Sequence, residues 1–106
     1  MYKLVFYVPL DAAEIVKEAI FNTGAGKLGK YAQCCWQTQG FGQFMPLEGT
    51  NPSIGSQGSL EVVKELRVEI LCTEDNIEPA IQALKGAHPY EEVAYEVISI
   101  ENHKFE

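Results

Sequence analysis

Residues Tyr2 to Val8 alternate two apolar sets, Tyr2, Leu4, Phe6 and Val8 on one side and Val5 and Tyr7 on the other. Alternation with period two is the signature of a β-strand, and apolar residues on both sides require a strand covered on both faces or buried in a subunit contact. Pro9 ends it. At 106 residues and 46% hydrophobic content the chain fits a single domain, residues 1–106, with a modest core.

The next segments carry helix and strand periods in turn. Asp11 stands where it can cap a helix, with Glu14 three residues later, and Ala12, Ile15, Val16, Ala19 and Ile20 form one apolar stripe. That helix should close near Asn22-Thr23-Gly24, where Gly24 or Gly26 supplies a left-handed turn. From Tyr31 to Phe44 the pattern is strand-like, with Ala32, Cys34, Trp36 and Thr38 predicted inward and Gln33, Cys35, Gln37 and Gln39 outward. Gly40 and Gly42 flank Phe41 and predict a bulge or bend. The Pro, Gly, Ser, Thr and Asn content of residues 45–60 predicts a long mobile loop.

Strand character resumes from Glu61 to Thr73, with Leu66, Val68, Ile70 and Cys72 facing in. Asp75 or Asn76 can cap a second helix that takes Pro79 in its first turn and buries Ile77, Ala80, Ile81, Leu84 and Ala87 or His88. A last strand is expected from Tyr90 to about Ile100, with His88 held extended at its mouth by Pro89. A polar tail follows from Glu101. The order strand, helix, strand, strand, helix, strand predicts an α+β fold, an antiparallel sheet with two helices on one face. Val5, Tyr7 and Leu71 then point to the bare face, and self-association is the economical way to cover them.

The charge balance narrows the partners. Eight basic against 15 acidic residues give a net charge of -7, which repels phosphate backbones and anionic membrane surfaces, so no nucleic acid partner and no membrane are expected. No apolar run approaches a bilayer span and no cleavage site follows the first residues, so a cytoplasmic location is expected. Three cysteines, with Cys34 and Cys35 adjacent, are read as reduced thiols.

Two segments invite a site. Gly24, Gly26 and Gly29 spell a dinucleotide-like spacing, and Lys27 and Lys30 could add an anion contact. The run follows a helix and opens a strand, however, so the amide dipoles oppose a phosphate, and a flexible turn is the plainer reading. His88 with Glu91, Glu92 and Cys35 is the best metal candidate, because imidazole and thiolate suit copper or zinc, and a subunit contact could gather them. Glu91 and Glu92 alternate in a strand and cannot face one ion together, which leaves His88, Glu92 and Cys35 as the ligand set. The alternative is that His88-Pro89-Tyr90 ends a helix and packs an interface while the acids stay solvated. No nucleophile, base and orienting group combine, so binding is favoured over catalysis.

Taken together, Tyr2-Lys3-Leu4-Val5-Phe6-Tyr7-Val8-Pro9, Gly24-Ala25-Gly26-Lys27-Leu28-Gly29, Gly40-Phe41-Gly42-Gln43-Phe44, Asn51-Pro52 and Ala87-His88-Pro89-Tyr90-Glu91-Glu92 cover nearly the whole chain in order. This combination resembles the domain inserted into YqfO-type proteins of the NGG-interacting, dinuclear-metal-centre family. That domain is in turn similar to the CutA and PII signalling proteins. The resemblance implies a ferredoxin-like βαββαβ fold, a homo-oligomer that is a trimer, and a regulatory or homeostasis role in which a metal ion or small ligand enters a subunit cleft. It also implies a protein partner met through loop 45–60. Val93 replaces the proline that similar sequences carry after the two acids, and Ala94 falls at a later acidic position of CutA, so only His88 transfers from a CutA metal site. The flanking halves that hold the larger family's dinuclear centre have no counterpart here. A metal-dependent hydrolase resembling GTP cyclohydrolase, or a purely structural interaction module, are the alternatives.

Overall fold

β1 (Tyr2–Pro9), α1 (Ala13–Phe21), β2 (Trp36–Phe44), β3 (Glu61–Cys72), α2 (Ile77–Ala87) and β4 (Tyr95–Ser99) follow one another along the chain. The computed structural model describes residues 1–101, so the expected polar tail beyond Glu101, with His103 and Phe105, lies outside the described residues. The strands form one antiparallel sheet in the order β2-β3-β1-β4, a ferredoxin-like arrangement. Leu4, Phe6 and Val8 of β1 pair in register with Ile70, Val68 and Leu66 of β3. That face joins Val16 and Ile20 of α1 and Ala80, Ile81 and Leu84 of α2 in one core. Each large side chain buried there contributes about 1.5–3 kcal/mol, so this face dominates the stability of the fold.

The helix stripes need one correction. Leu10 to Ala12 form a 3-10 turn directly after β1, which moves the start of α1 to Ala13 and leaves Asp11 with no capping bond. Val16 and Ile20 are buried as the stripe requires and Ala13 joins them, while Ile15 is 67% exposed. The second stripe, through Ala80, Ile81 and Leu84, is as expected.

β2 departs more. It begins at Trp36 rather than Tyr31, and its register pairs Gln37 with Val68 and Trp36 with Glu69. Residues paired across antiparallel strands share a face, so Gln37 looks toward the helices and Trp36 away from them, the reverse of the predicted alternation. Lys17 of α1 confirms the sense by donating from Nζ to Gln37 Oε1 at 2.9 Å. Pairing from Trp36 to Phe44 runs without a break, so Gly40 and Gly42 mark no bulge. β3 outruns β1, and its first residues pair with β2 alone to form an arm on a body measuring 55 × 23 × 22 Å.

The back of the sheet is covered differently from expectation. Val5 is fully buried within one chain. Its register partners are Glu69 and Glu96, and a polar chain runs across them. Lys3 Nζ meets Glu69 Oε1 at 3.0 Å, Arg67 Nε donates to Glu69 Oε2 at 3.3 Å, and the Tyr7 hydroxyl donates to Glu96 Oε1 at 2.8 Å. The apolar stems of these long side chains shield Val5 while their heads stay in water. Tyr7 and Leu71, on the same face, stay partly exposed.

Candidate functional site

α2 ends at Ala87, and His88 leaves the helix with φ −71° and ψ 138°, the extended state that the following proline imposes. β4 starts only at Tyr95, so residues 88–94 form a connecting segment rather than the expected strand, and the alternation predicted from Tyr90 begins five residues late. His88 is 7% exposed. Its Nε2–H donates to the Tyr7 carbonyl at 2.7 Å, and its Nδ1 accepts the Tyr90 backbone N–H at 3.1 Å. These two bonds define the neutral tautomer with the proton on Nε2. Burial holds the ring's pKa below its ordinary value, against the opposing pull of the Tyr7 carbonyl and the Glu65 charge.

His88 thus positions Tyr90, whose ring leans against it with centroids 4.8 Å apart and against Phe44 at 5.7 Å. The Tyr90 hydroxyl donates to Glu65 Oε2 at 3.0 Å. Burial, followed by the hydrogen bond and charge of Glu65, raises the phenol's pKa far above its ordinary value, so it remains a donor. Glu65 is itself only 9% exposed. Its carboxylate lies over Gly42, where an added Cβ would fall 2.6 Å from Cδ. The Gly42 position in the arm is therefore kept open for the Glu65 side chain, which is the physical reason for the glycine that the pattern read as a bend.

These groups line a cavity of about 300 Å³ that Phe44, Pro46, Pro52 and Ile54 also face. Loop 45–60 forms one wall of it. Gly58 N donates to Pro46 O at 2.7 Å, Gln57 Nε2 to Thr50 O at 3.0 Å, and Thr50 Oγ1 to Leu47 O at 2.7 Å. The loop is a self-bonded Ω-like element with near-meeting ends. One bond fastens it across the cavity, from Asn51 N to Glu91 Oε1 at 3.0 Å. The cavity is built within one chain, between the sheet, this loop and residues 90–94, whereas the resemblance placed ligand entry between subunits.

The other predicted site residues lie elsewhere. Glu92 lines the cavity and is exposed, and Cys35 is exposed in the segment before β2. Among the described residues no group of three or more His, Cys, Asp or Glu converges in one chain, so His88, Glu92 and Cys35 are not brought together there. Cys34 is half-buried, and Cys72 is buried in the core, where burial pushes its thiol up to about 11. Lys27 and Lys30 are exposed on a tight turn in which Leu28 and Tyr31 exchange backbone bonds. The Gly26 N–H donates to Leu71 O at 2.9 Å and the Gly24 N–H to Phe21 O at 3.0 Å, so both amides already have carbonyl partners.

Sequence reasoning missed Glu65 and misread Gly42. The available signal was the spacing of Gly40 and Gly42, two open positions on one strand face that admit a neighbour's side chain.

The fold and its long β2–β3 arm define a ferredoxin-like domain of the CutA kind. CutA1 of Pyrococcus horikoshii superposes with a TM-score of 0.69 over 98% of this chain and 87% of that one, at 18% identity. The PII-like protein CutA of Nostoc gives 0.67 over 96% and 83%, at 16% identity. At such identities the likeness is one of fold. In sequence the chain is homologous to part of larger proteins named GTP cyclohydrolase 1 type 2 homolog. The Halalkalibacterium halodurans protein is 44% identical over 102 residues, which make up 96% of this chain and 27% of the relative. That of Bacillus subtilis is 42% identical over 99 residues, 93% of this chain and 26% of the relative. A solved Bacillus cereus protein related to NIF3 matches with a TM-score of 0.81 and 40% identity, covering 95% of this chain and 26% of its own. No family model matches the chain. The chain spans about a quarter of the length of the relatives it matches, and is a small CutA-like, PII-like domain akin to one portion of them.

Proposed function

We propose that this domain is a cytoplasmic small-ligand sensor that assembles as a homo-oligomer, a trimer by its likeness to CutA and PII proteins, and acts in a regulatory or homeostasis role. The observation that carries the reading is the half-open cavity of about 300 Å³ that loop 45–60 flanks, held across it by the bond from the Asn51 N–H to Glu91. A ligand inside adds contacts to the closed loop that the open loop lacks, so binding shifts the population toward the closed state. The changed loop surface is then what a protein partner reads. Exposed Phe41 and Val62 on the arm, and Trp36 on the opposite sheet face, offer apolar surface for self-association.

Native mass spectrometry on protein purified without chelator tests subunit number and retained molecules together. The expected result is a trimer carrying an organic molecule, whose removal speeds hydrogen exchange in residues 46–58. A trimer holding copper or zinc instead, lost in His88→Ala, would replace the cavity by a metal site of His88, Glu92 and Cys35 gathered between subunits. A monomer with exchange in the loop indifferent to every added compound would refute the sensor. Conversion of GTP by the protein would put a hydrolase in its place.

A further inference from the structure

The cavity holds one polar group that the protein leaves underfilled. A carboxylate has about four acceptor sites. Glu65 lines the cavity, is 9% exposed, and receives one hydrogen bond among the described residues, from the Tyr90 hydroxyl. No basic side chain is paired with it there. Lys3 and Arg67 are engaged by Glu69, Lys17 by Glu14, and the His88 ring donates to the Tyr7 carbonyl instead. A buried carboxylate without a counter-charge is costly, and a ligand that brought one would recover much of that cost.

The surroundings say what kind of positive group fits. No lysine or arginine lines the cavity, and Glu91 and Glu92 stand on its wall beside Glu65, so phosphate-bearing ligands are repelled and cations attracted. Calcium or magnesium asks for six or more oxygen ligands and zinc for about four His, Cys or carboxylate donors, whereas Phe44, Pro46, Pro52 and Ile54 make this wall apolar. The Phe44 and Tyr90 rings, tilted at 58° to one another, present π-faces and edges on which a flat ring or an ammonium rests favourably.

From this arrangement we propose that the cavity takes a small organic cation with a flat apolar body, an arylalkylamine, whose charged nitrogen pairs with Glu65 and hydrogen-bonds beside the Tyr90 hydroxyl. The proposal rests on the sensor reading and adds to it the chemical class of the ligand. Gly42 serves it by leaving room for the carboxylate, and His88 serves it by holding Tyr90 in place.

Three probes of one shape separate the claims: phenethylamine, 2-phenylethanol and 3-phenylpropanoate, titrated into the full chain near pH 7 and followed by backbone amide NMR. The expected result is binding of the amine about tenfold tighter than the alcohol, the difference that about 1.4 kcal/mol supplies, with the carboxylate weakest. The perturbed amides should be those of Gly42, Phe44, Thr50 and Tyr90. In Glu65→Gln, where the Tyr90 hydroxyl keeps an acceptor, the amine should fall to the affinity of the alcohol while the alcohol binds as before. Equal binding of amine and alcohol at these amides would overturn the charge pairing and leave the cavity reading intact. Amine shifts confined to Glu91 and Glu92, or unchanged in Glu65→Gln, would mark surface association and overturn it as well. If none of the three probes perturbs the cavity amides, both readings fall. Calcium or zinc alone perturbing them, with loss in Glu65→Gln, would substitute an inorganic cation for the amine.

Discussion

Replacing Gly42 by alanine asks whether the Glu65 carboxylate sits where the cavity needs it. The new Cβ would fall 2.6 Å from Glu65 Cδ, nearer than atoms can stand, so the carboxylate must swing aside. Its bond from Tyr90 is then lost, and a hydrogen bond to a charged group is worth about 1.5–3 kcal/mol. Against this, Gly42 does not adopt a positive φ, so alanine there lowers only the entropy of the unfolded strand and gains about 0.5–1 kcal/mol. The net expectation is a loss of about 1–2 kcal/mol by these figures. In a Glu65→Ala background the obstacle is gone, and the same substitution should instead stabilise by about 0.5–1 kcal/mol. The sign reverses, which a merely local effect at position 42 cannot produce. Urea unfolding of the four proteins at one protein concentration, followed by circular dichroism, measures the coupling. If Gly42→Ala shifts stability equally in both backgrounds, to within about 0.5 kcal/mol, the two residues do not share this space and the cavity floor is wrongly drawn.

Three further outcomes are expected. Since burial lowers the His88 pKa in the folded state, the unfolded chain takes up the proton first, and the stability of the neutral ring is present above about pH 6.5 and lost as pH falls through the lower folded value. Urea midpoints should decline from about pH 7.5 to 5, with a shallower decline in His88→Gln; an identical slope in the variant would count against His88 as the titrating group. Glu91→Ala removes the acceptor of the Asn51 amide and should speed hydrogen exchange at Asn51 by about fivefold to tenfold, for a bond worth about 1 kcal/mol, without changing exchange in β1. In native protein near pH 8 a disulfide reagent should modify exposed Cys35 and spare Cys72, whose thiol is buried and pushed up to about 11; rapid labelling of Cys72 would contradict the packing of β3 against α2.

Periodicity made the α+β order legible, because β1, β3 and α2 bury residues at spacings that only one element type satisfies. Val68, Ile70 and Cys72 lie inward as alternation requires, and Ala80, Ile81 and Leu84 as helical spacing requires. It misled where the burial pattern is flat. β2 is exposed along most of its length, so Trp36 and Gln37 carry no hydrophobic contrast to set the face, and pairing with β3 chose it. The start of α1 moved to Ala13 because the 3-10 turn after Pro9 leaves no mark in composition. The resemblance to the CutA kind of domain was readable from runs of residues spread over the chain, and the solved structures bear it out as a fold.

His88 and Tyr90 stood out in the sequence, yet their roles did not. A histidine before a proline announces a helix end, and that much is dictated locally. Whether its ring ligates a metal or braces a neighbour depends on which groups from β1, 81 residues away in the chain, come within reach, and here the Tyr7 carbonyl does. Glu65 is the sharper case: one acid among 15, it differs from the others only in what folds over it. The chain by itself determined its strands, helices and net charge, since these follow from the order of apolar and charged side chains. The tertiary structure alone decided that Glu65, Tyr90, Gly42 and loop 45–60 meet around one cavity, because burial and hydrogen-bond partners arise from contacts between segments far apart in sequence.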